Sequence, residues 1–448
     1  MKALSQTGNQ IMQMAAATPD SRERYVDFLR AFSIAVVVFG HWLMAIVYWG
    51  QDGLTGDNAL NVVPGLWLAT WVLQVMPLFF FVGGFSNLVT IDATRKKGGT
   101  YGEFLRGRIH RLLKPTLVFV GVWIVVAAAI EAIAPSAATS LANATEILAK
   151  PLWFLAVYVL LVALAPSMLS LHRRFGARVL FALAIAAAAA DVIRLAAGVT
   201  FVGYFNFAFV WLFAHQLGFF YAEGTLARLG RRVHAGMAAT GLAALFVLTN
   251  IGVYSPSLVG MNSDLASNNS PPTVCLIALT TWLVGAAMLL RPAVSRWLSK
   301  TRPWAYVIGA NSMIMTVFLW HLTALFALVL VAYPLGFAQP AGGTAEWWAL
   351  RPVWIGLLLV ALVPFIALFG RFERPTRGKT AADVKTISPA RVSVGTAAVV
   401  FGLSGFATAG FAGVLSAPAQ VSALGAGPLV SAISLAAGAR FLTGTKAA

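Results

Sequence analysis

Residues 28–42 read FLRAFSIAVVVFGHW, with an arginine at the mouth, ten residues without a charge, and then a histidine. The run stays apolar to Tyr48, long enough to span a bilayer as a helix. The rest of the chain shares this character. Its 448 residues are 59% hydrophobic and 10% charged, with a mean hydropathy of +0.80. Soluble domains are about a quarter charged, so a bilayer is the solvent for most of this chain.

Further apolar runs are predicted near 65–90, 113–134, 152–170, 178–197, 201–221, 235–253, 273–290, 305–332, 352–370 and 392–414. With 28–48 they make about eleven transmembrane helices, an all-α polytopic membrane bundle. An Ala/Gly-rich stretch at 427–439 is either a twelfth span or an interfacial segment. Residues 1–24 are polar and mixed, without the apolar core of a cleaved signal peptide, and read as a cytoplasmic tail. Residues 371–391 read as a cytoplasmic linker to one or two added C-terminal helices within 392–448.

The net charge of +17 would suggest nucleic acid until the charges are placed. With the N-terminus inside, 27 of the 32 lysines and arginines fall on the inner side of these spans. That asymmetry is the positive-inside rule, with some attraction to anionic lipid headgroups. The charge is topology and excludes a nucleic-acid footprint. The lone Cys275 excludes an internal disulfide or a cysteine-built metal site, and its apolar setting suits an inert packed thiol. No phosphate-binding loop, HExxH or GxSxG element occurs, and no metal is expected.

Against this background the polar residues inside spans stand out. Arg30 and His41 are eleven residues apart, within roughly 20° of one helical face and about 16 Å along the axis. This puts Arg30 at the cytoplasmic rim and His41 near mid-membrane. Asp27 can pair with Arg30 at i, i+3. An ionisable residue within a span is a functional candidate, although hydrogen-bonded glue between helices is an ordinary alternative. A neutral imidazole keeps one ring nitrogen free for a proton, which suits a general base acting on a hydroxyl.

A second cluster, RGRIHRLLKP at 106–115, spaces Arg108, Arg111 and Lys114 three apart. On a helix they form a ridge suited to phosphates, or they are plain juxtamembrane charge. MPLFFFVGGFSN at 76–87 places Pro77 and the Gly83–Gly84 pair in a span, for bending, local unwinding or close helix packing. NSMIMTVFLWHL at 311–322 puts His321 deep in another span. His215 and the pair Asp191 and Arg194 read as structural.

These elements resemble the membrane acyltransferase 3 family. DFLRAFSIAVVVFGH is similar to its first span, with the hallmark arginine, ten residues and histidine. RIHR (Arg108, Arg111) is similar to its RxxR element. MPLFFFVGGFSN resembles its P-L-F-F-x-x-S-G-F element, with Gly83 where serine is usual. PLWFLAVYVLLVALAP, containing Trp153, resembles its W-F-L span, and NSMIMTVFLWH its late S-x-x-I-Y-x-x-H element, with Thr316 or Val317 where tyrosine is common. The resemblance covers roughly 25–370, a ten-helix core.

What it implies is transfer of an acyl group, most often acetyl, from cytoplasmic acyl-CoA to a hydroxyl of a cell-envelope sugar or glycolipid at the plasma membrane. Arg108, Arg111 and Lys114 would hold CoA phosphates. His41 would be the base, with Arg30 and Asp27 beside it in the catalytic set. His321 and Trp153 would be substrate-facing or structural. Direct transfer and an acyl-histidine intermediate both fit. The Ala/Gly-rich composition resembles members from mycolic-acid envelopes, which would make a trehalose mycolate the acceptor. A glycolipid transporter or flippase without acyl transfer is the alternative, and acyl-CoA consumption separates the two.

Overall fold

The computed structural model describes residues 2–19, 21–50, 53–260, 265–337, 339–373, 388–415 and 425–443. Among them, ten helical stretches are long and apolar enough to cross a membrane: Arg24–Met44, Leu66–Lys96, Tyr101–Ile133, Pro135–Phe175, Arg178–Ala196, Arg231–Asn250, Val274–Leu298, Ile314–Ala332, Ala345–Phe372 and Ala390–Ala409. The expected span at 201–221 is the helix Asn206–Ala222. Its 17 residues give about 26 Å, somewhat short of a hydrocarbon core. The chain is an all-α polytopic membrane bundle made of two compact units that interleave along the sequence.

The first unit comprises Met1–Gly40, Val63–Val89 and Ser167–Ile314. Its helices cross where side chains vanish. A Cβ on Gly84 would lie 1.9 Å from the carbonyl oxygen of His215, and one on Gly218 would lie 2.1 Å from that of Phe81. Gly84 therefore serves close packing. The helix Met76–Lys96 runs unbroken, and Pro77 is its second residue, where no hydrogen bond is lost. Gly84→Ala is expected to destabilise the protein by about 1–3 kcal/mol, because backbone cannot yield as a side chain end can. Thermal unfolding of purified protein checks this against Gly121→Ala, where an added Cβ meets nothing within 4 Å.

Buried polar residues of this unit tie helices together. Asp191 accepts from Asn206 Nδ2 at 2.9 Å, Tyr254 Oη at 3.2 Å and the backbone N–H of Val274 at 2.8 Å. It thereby caps the helix Val274–Leu298 with its own carboxylate. The hydrogen-bond donors to Asp191 are neutral groups, and Arg194 acts on it as a nearby charge without a hydrogen bond among these. His215 is buried and bonds Asn87 at 3.0 Å. The N-terminal tail contains a helix, Lys2–Ala16, whose Ile11 and Ala15 pack with Trp304, Ala305 and Val307.

The second unit comprises His41–Val62, Thr90–Pro166 and Met315–Ala448. It holds the largest departures from expectation. The first helix ends at Met44, not Tyr48, and Ala45–Gly50 pairs antiparallel with Gly53–Asn58. The segment AIVYWG is apolar but β-branched and aromatic, a composition that serves a strand as well as a span. His41 consequently stands three residues from the helix end and not at the middle of a span. The expected loop after Ile133 contains the helix Ala138–Ala149.

The basic stretch 106–115 lies inside one helix, Tyr101–Ile133, opened by a Thr100–Glu103 capping box. The predicted span 305–332 divides into Thr301–Ser312 and Ile314–Ala332. Ser312 Oγ turns back to the carbonyl of Gly309, and Asn311 Nδ2 to that of Val307, local bonds that compete with helix continuation.

The expected span at 392–414 is the helix Pro389–Ala409, and the stretch at 427–439, open between a span and an interfacial segment, forms the 16-residue helix Pro428–Thr443. Gly395, Gly402 and Gly438 bring these two helices into backbone contact, and Gly405 makes room for the Ser431 side chain. Most of the expected linker lies outside the described residues.

Candidate active site

Each unit carries part of the candidate constellation. In the first, the buried Asp27 carboxylate accepts from Arg30 at 3.2 Å and from Arg22 Nε at 2.7 Å. Arg30 also donates to Ser86 Oγ at 3.1 Å, and Asn311 Nδ2 donates to the Asp27 carbonyl at 3.0 Å. Asp27 thus receives two guanidinium donors, and Arg22 joins a set in which only Arg30 was anticipated. Ser86 lies within the GGFSN stretch, just after the Gly83–Gly84 pair.

In the second unit, the two membrane histidines meet. His41 Nδ1 lies 2.8 Å from His321 Nε2. Their rings are within 7° of parallel with centroids 5.1 Å apart, the separation expected when the bond lies in a shared plane. His321 Nδ1 lies 2.7 Å from the carbonyl oxygen of Phe318. A carbonyl only accepts, so that nitrogen carries the hydrogen and His321 Nε2 presents a lone pair. His41 Nδ1 must then donate to it, which leaves the lone pair of His41 on Nε2. Hydrogen-bond arithmetic alone sets the tautomers of both rings.

His41 is exposed whereas His321 is fully buried. One ring is accessible and the other holds it from behind. The holding is firm. Trp42 Nε1 donates to the His321 carbonyl at 2.9 Å. Trp320 stacks on Phe369 at 3.9 Å and meets Phe119 edge-on at 5.2 Å. Glu373 accepts from the backbone N–H groups of Met315 and Thr316, both at 2.9 Å, and from Thr316 Oγ1 at 2.8 Å. It caps the first turn of the His321 helix. Burial pushes the Glu373 carboxyl above the usual carboxylate range, and these three donors pull against that rise.

The basic ridge belongs to the same unit. Arg111 is exposed, and Arg108 and Lys114 are partly exposed. Ile109 and Leu113 turn inward from the same turns and anchor the ridge. Arg108 donates to Tyr158 Oη at 3.3 Å, and Lys114 Nζ sits 5.9 Å from the Phe372 ring. From Tyr158 an aromatic line leads to the histidines. Tyr158 lies 6.1 Å from Phe154, Phe154 lies 5.3 Å from Phe318, and Phe318 lies 6.1 Å from the His321 ring. Trp153 packs edge-on to Phe154 at 6.3 Å and flanks this line. The expected tryptophan is therefore a neighbour of the residue that makes the connection.

Sequence reading did not single out Phe154, Tyr158, Phe318, Trp42 or Glu373. Phe154 and Tyr158 stand four apart and Phe318 and His321 three apart, spacings that share a helical face. Glu373 acts across 57 residues of chain and carries no local signal.

A sequence profile of an acyltransferase domain, that of the acyltransferase 3 family, matches residues 23–371. The chain belongs to this family. It is a multi-pass membrane acyltransferase, and the match contains both histidines, the Asp27–Arg30 pair and the basic ridge. No curated protein and no solved structure gives a significant match.

Proposed function

We propose that this acyltransferase moves an acyl group, acetyl in the simplest case, from acyl-CoA to a hydroxyl of a cell-envelope sugar or glycolipid. A trehalose mycolate suits the acceptor role. The observation that carries the reading is the His41–His321 pair, which leaves a lone pair on Nε2 of the exposed residue His41.

In the proposed reaction, His41 Nε2 takes the proton from the acceptor hydroxyl as its oxygen attacks the thioester carbonyl carbon. The carbon–sulfur bond breaks, and His41 passes that proton to the departing CoA thiolate, which returns the imidazole to its neutral form. An ester and free CoA result. While His41 is doubly protonated, His321 Nε2 remains its acceptor, much as a triad's third member steadies its histidine. An acyl-histidine route would use the same lone pair as nucleophile.

Arg108, Arg111 and Lys114 supply cations for the CoA phosphates, and the aromatic line offers an apolar path for the pantetheine arm. Asp27 and Arg30 anchor the first turns of the helix Arg24–Met44, which carries His41 near its other end. The charge asymmetry supports a plasma-membrane protein with the N-terminus and the basic ridge in the cytoplasm.

The test is transfer of label from radiolabelled acetyl-CoA to an envelope glycolipid extract by the purified protein in lipid. Label in glycolipid, with CoA release, supports the reading. In Arg108→Ala, KM for acetyl-CoA is expected to rise about tenfold with kcat little changed, as removal of one phosphate contact predicts. A folded protein that neither binds nor consumes acetyl-CoA sinks the proposal and directs attention to glycolipid transport.

A further inference from the structure

A second polar constellation lies in the second unit and plays no part in the proposed chemistry. Arg351 is a guanidinium in the first turns of the apolar helix Ala345–Phe369, and only 3% of it is exposed. An arginine at such a position is costly and ordinarily has a counter-ion. Here its bonds go to neutral acceptors: Gln339 Oε1 at 2.7 Å, the Ala45 carbonyl at 3.3 Å and the Trp347 carbonyl at 3.3 Å. No carboxylate pairs with it among the described residues. These bonds use three of its five N–H groups, and the guanidinium lies over the Trp347 ring at 3.8 Å.

The surroundings add more donors without acceptors. Trp354 is 7% exposed, and its Nε1 has no hydrogen-bond partner. Gln339 turns its oxygen to both Arg351 and Trp347 Nε1, which leaves its buried Nε2 without one. Three side chains therefore converge with unspent N–H groups, one of them cationic. The deficit is of acceptors, and an anion supplies them.

Arg351, Gln339 and Trp354 line a groove of about 420 Å³ whose remaining walls are apolar, including Leu328, Leu335, Phe337 and Val353. Leu335, Phe337 and Val353 are well exposed. A free anion would satisfy the polar end and leave this wall unused, and a neutral chain would do the reverse.

We propose that this groove binds an anionic acyl lipid, with its headgroup phosphate on Arg351, Gln339 and Trp354 and an acyl chain along the apolar wall. Charge complementarity selects the occupant, since bulk zwitterionic lipid brings its own ammonium and a diacylglycerol brings no acceptor of this strength. The site also abuts the strand that follows His41. Arg351 holds the Ala45 carbonyl, and Tyr333 Oη donates to the Val47 carbonyl.

The full-length protein in a neutral detergent is titrated with phosphatidylglycerol, phosphatidylcholine and diacylglycerol of identical chains, and with inorganic phosphate. Retention is read by native mass spectrometry. One phosphatidylglycerol is expected to be retained at least tenfold over phosphatidylcholine and diacylglycerol. The preference is expected to fall to within twofold in Arg351→Gln and to weaken severalfold in Trp354→Phe, which removes an N–H that has no partner to lose.

Equal retention of the three lipids by wild type overturns the proposal. So does a preference left intact in Trp354→Phe and in whichever of Arg351→Gln and Arg351→Met folds, since the lipid would then sit on other cations. Arg351-dependent binding of inorganic phosphate without lipid retention also overturns it, assigning the polar end to a free anion. This readout is independent of acyl transfer.

Discussion

The His41→Asn protein is expected to lose acyl transfer by about 10²–10⁴-fold, the range that a positioned general base supplies. Asparagine is chosen for its geometry. Its side-chain N–H group stands where His41 Nδ1 stands and can still donate to His321 Nε2. The buried lone pair of His321 therefore keeps its donor and the fold loses little. What disappears is Nε2, the one atom the proposal uses for chemistry. His41→Ala removes both, and leaving a buried acceptor unpaired adds about 1–3 kcal/mol of destabilisation. The two variants thus separate stability from catalysis. Thermal unfolding and label transfer measured side by side check this. A His41→Asn protein that transfers acetyl at a tenth of the wild-type rate or better would remove His41 from the proton path.

Much of this arrangement was legible in the sequence, and the limits have physical causes. Composition and positive charge placement give the membrane class directly, because a bilayer tolerates few polar residues and sorts its charges. The arginine, ten residues and histidine lie on one helix, so their spacing alone relates them. His321 was visible as an ionisable residue within a span, but its bond to His41 closes over 280 residues. Periodicity along one helix says nothing about such a bond.

The hairpin after Met44 is not legible in the sequence, because a short apolar run serves strand and span alike. The break at Met313 leaves no hydropathy signal, because side-chain bonds from Asn311 and Ser312 interrupt a segment that is apolar throughout its neighbourhood. Trp153 enters through the resemblance of PLWFLAVYVLLVALAP to a W-F-L span. Phe154, one position on and buried, makes the contact with Phe318.

The second large effect is expected at His321, which acts as a positioning residue and touches no reacting atom. His321→Leu removes the acceptor that fixes the hydrogen on His41 Nδ1. The free ring of His41 then partitions between tautomers and orientations, and its doubly protonated form loses its partner. A loss of about 10–10²-fold in kcat is expected, with KM for acetyl-CoA within threefold of wild type.

A purely structural role predicts a different pattern, in which kcat, KM and thermal stability fail together. His321→Gln distinguishes the two further. Its amide oxygen reaches the position of Nε2 and accepts from His41 Nδ1, although the bond to the Phe318 carbonyl is given up. That carbonyl faces little penalty, since it stays within the helix Ile314–Ala332 with its backbone hydrogen bonding. Rescue to within tenfold of wild type by glutamine, and none by leucine, would identify the accepted hydrogen bond as what His321 contributes. Equal losses in both would mean that the imidazole itself is required there, and the proton would then have to travel through both rings.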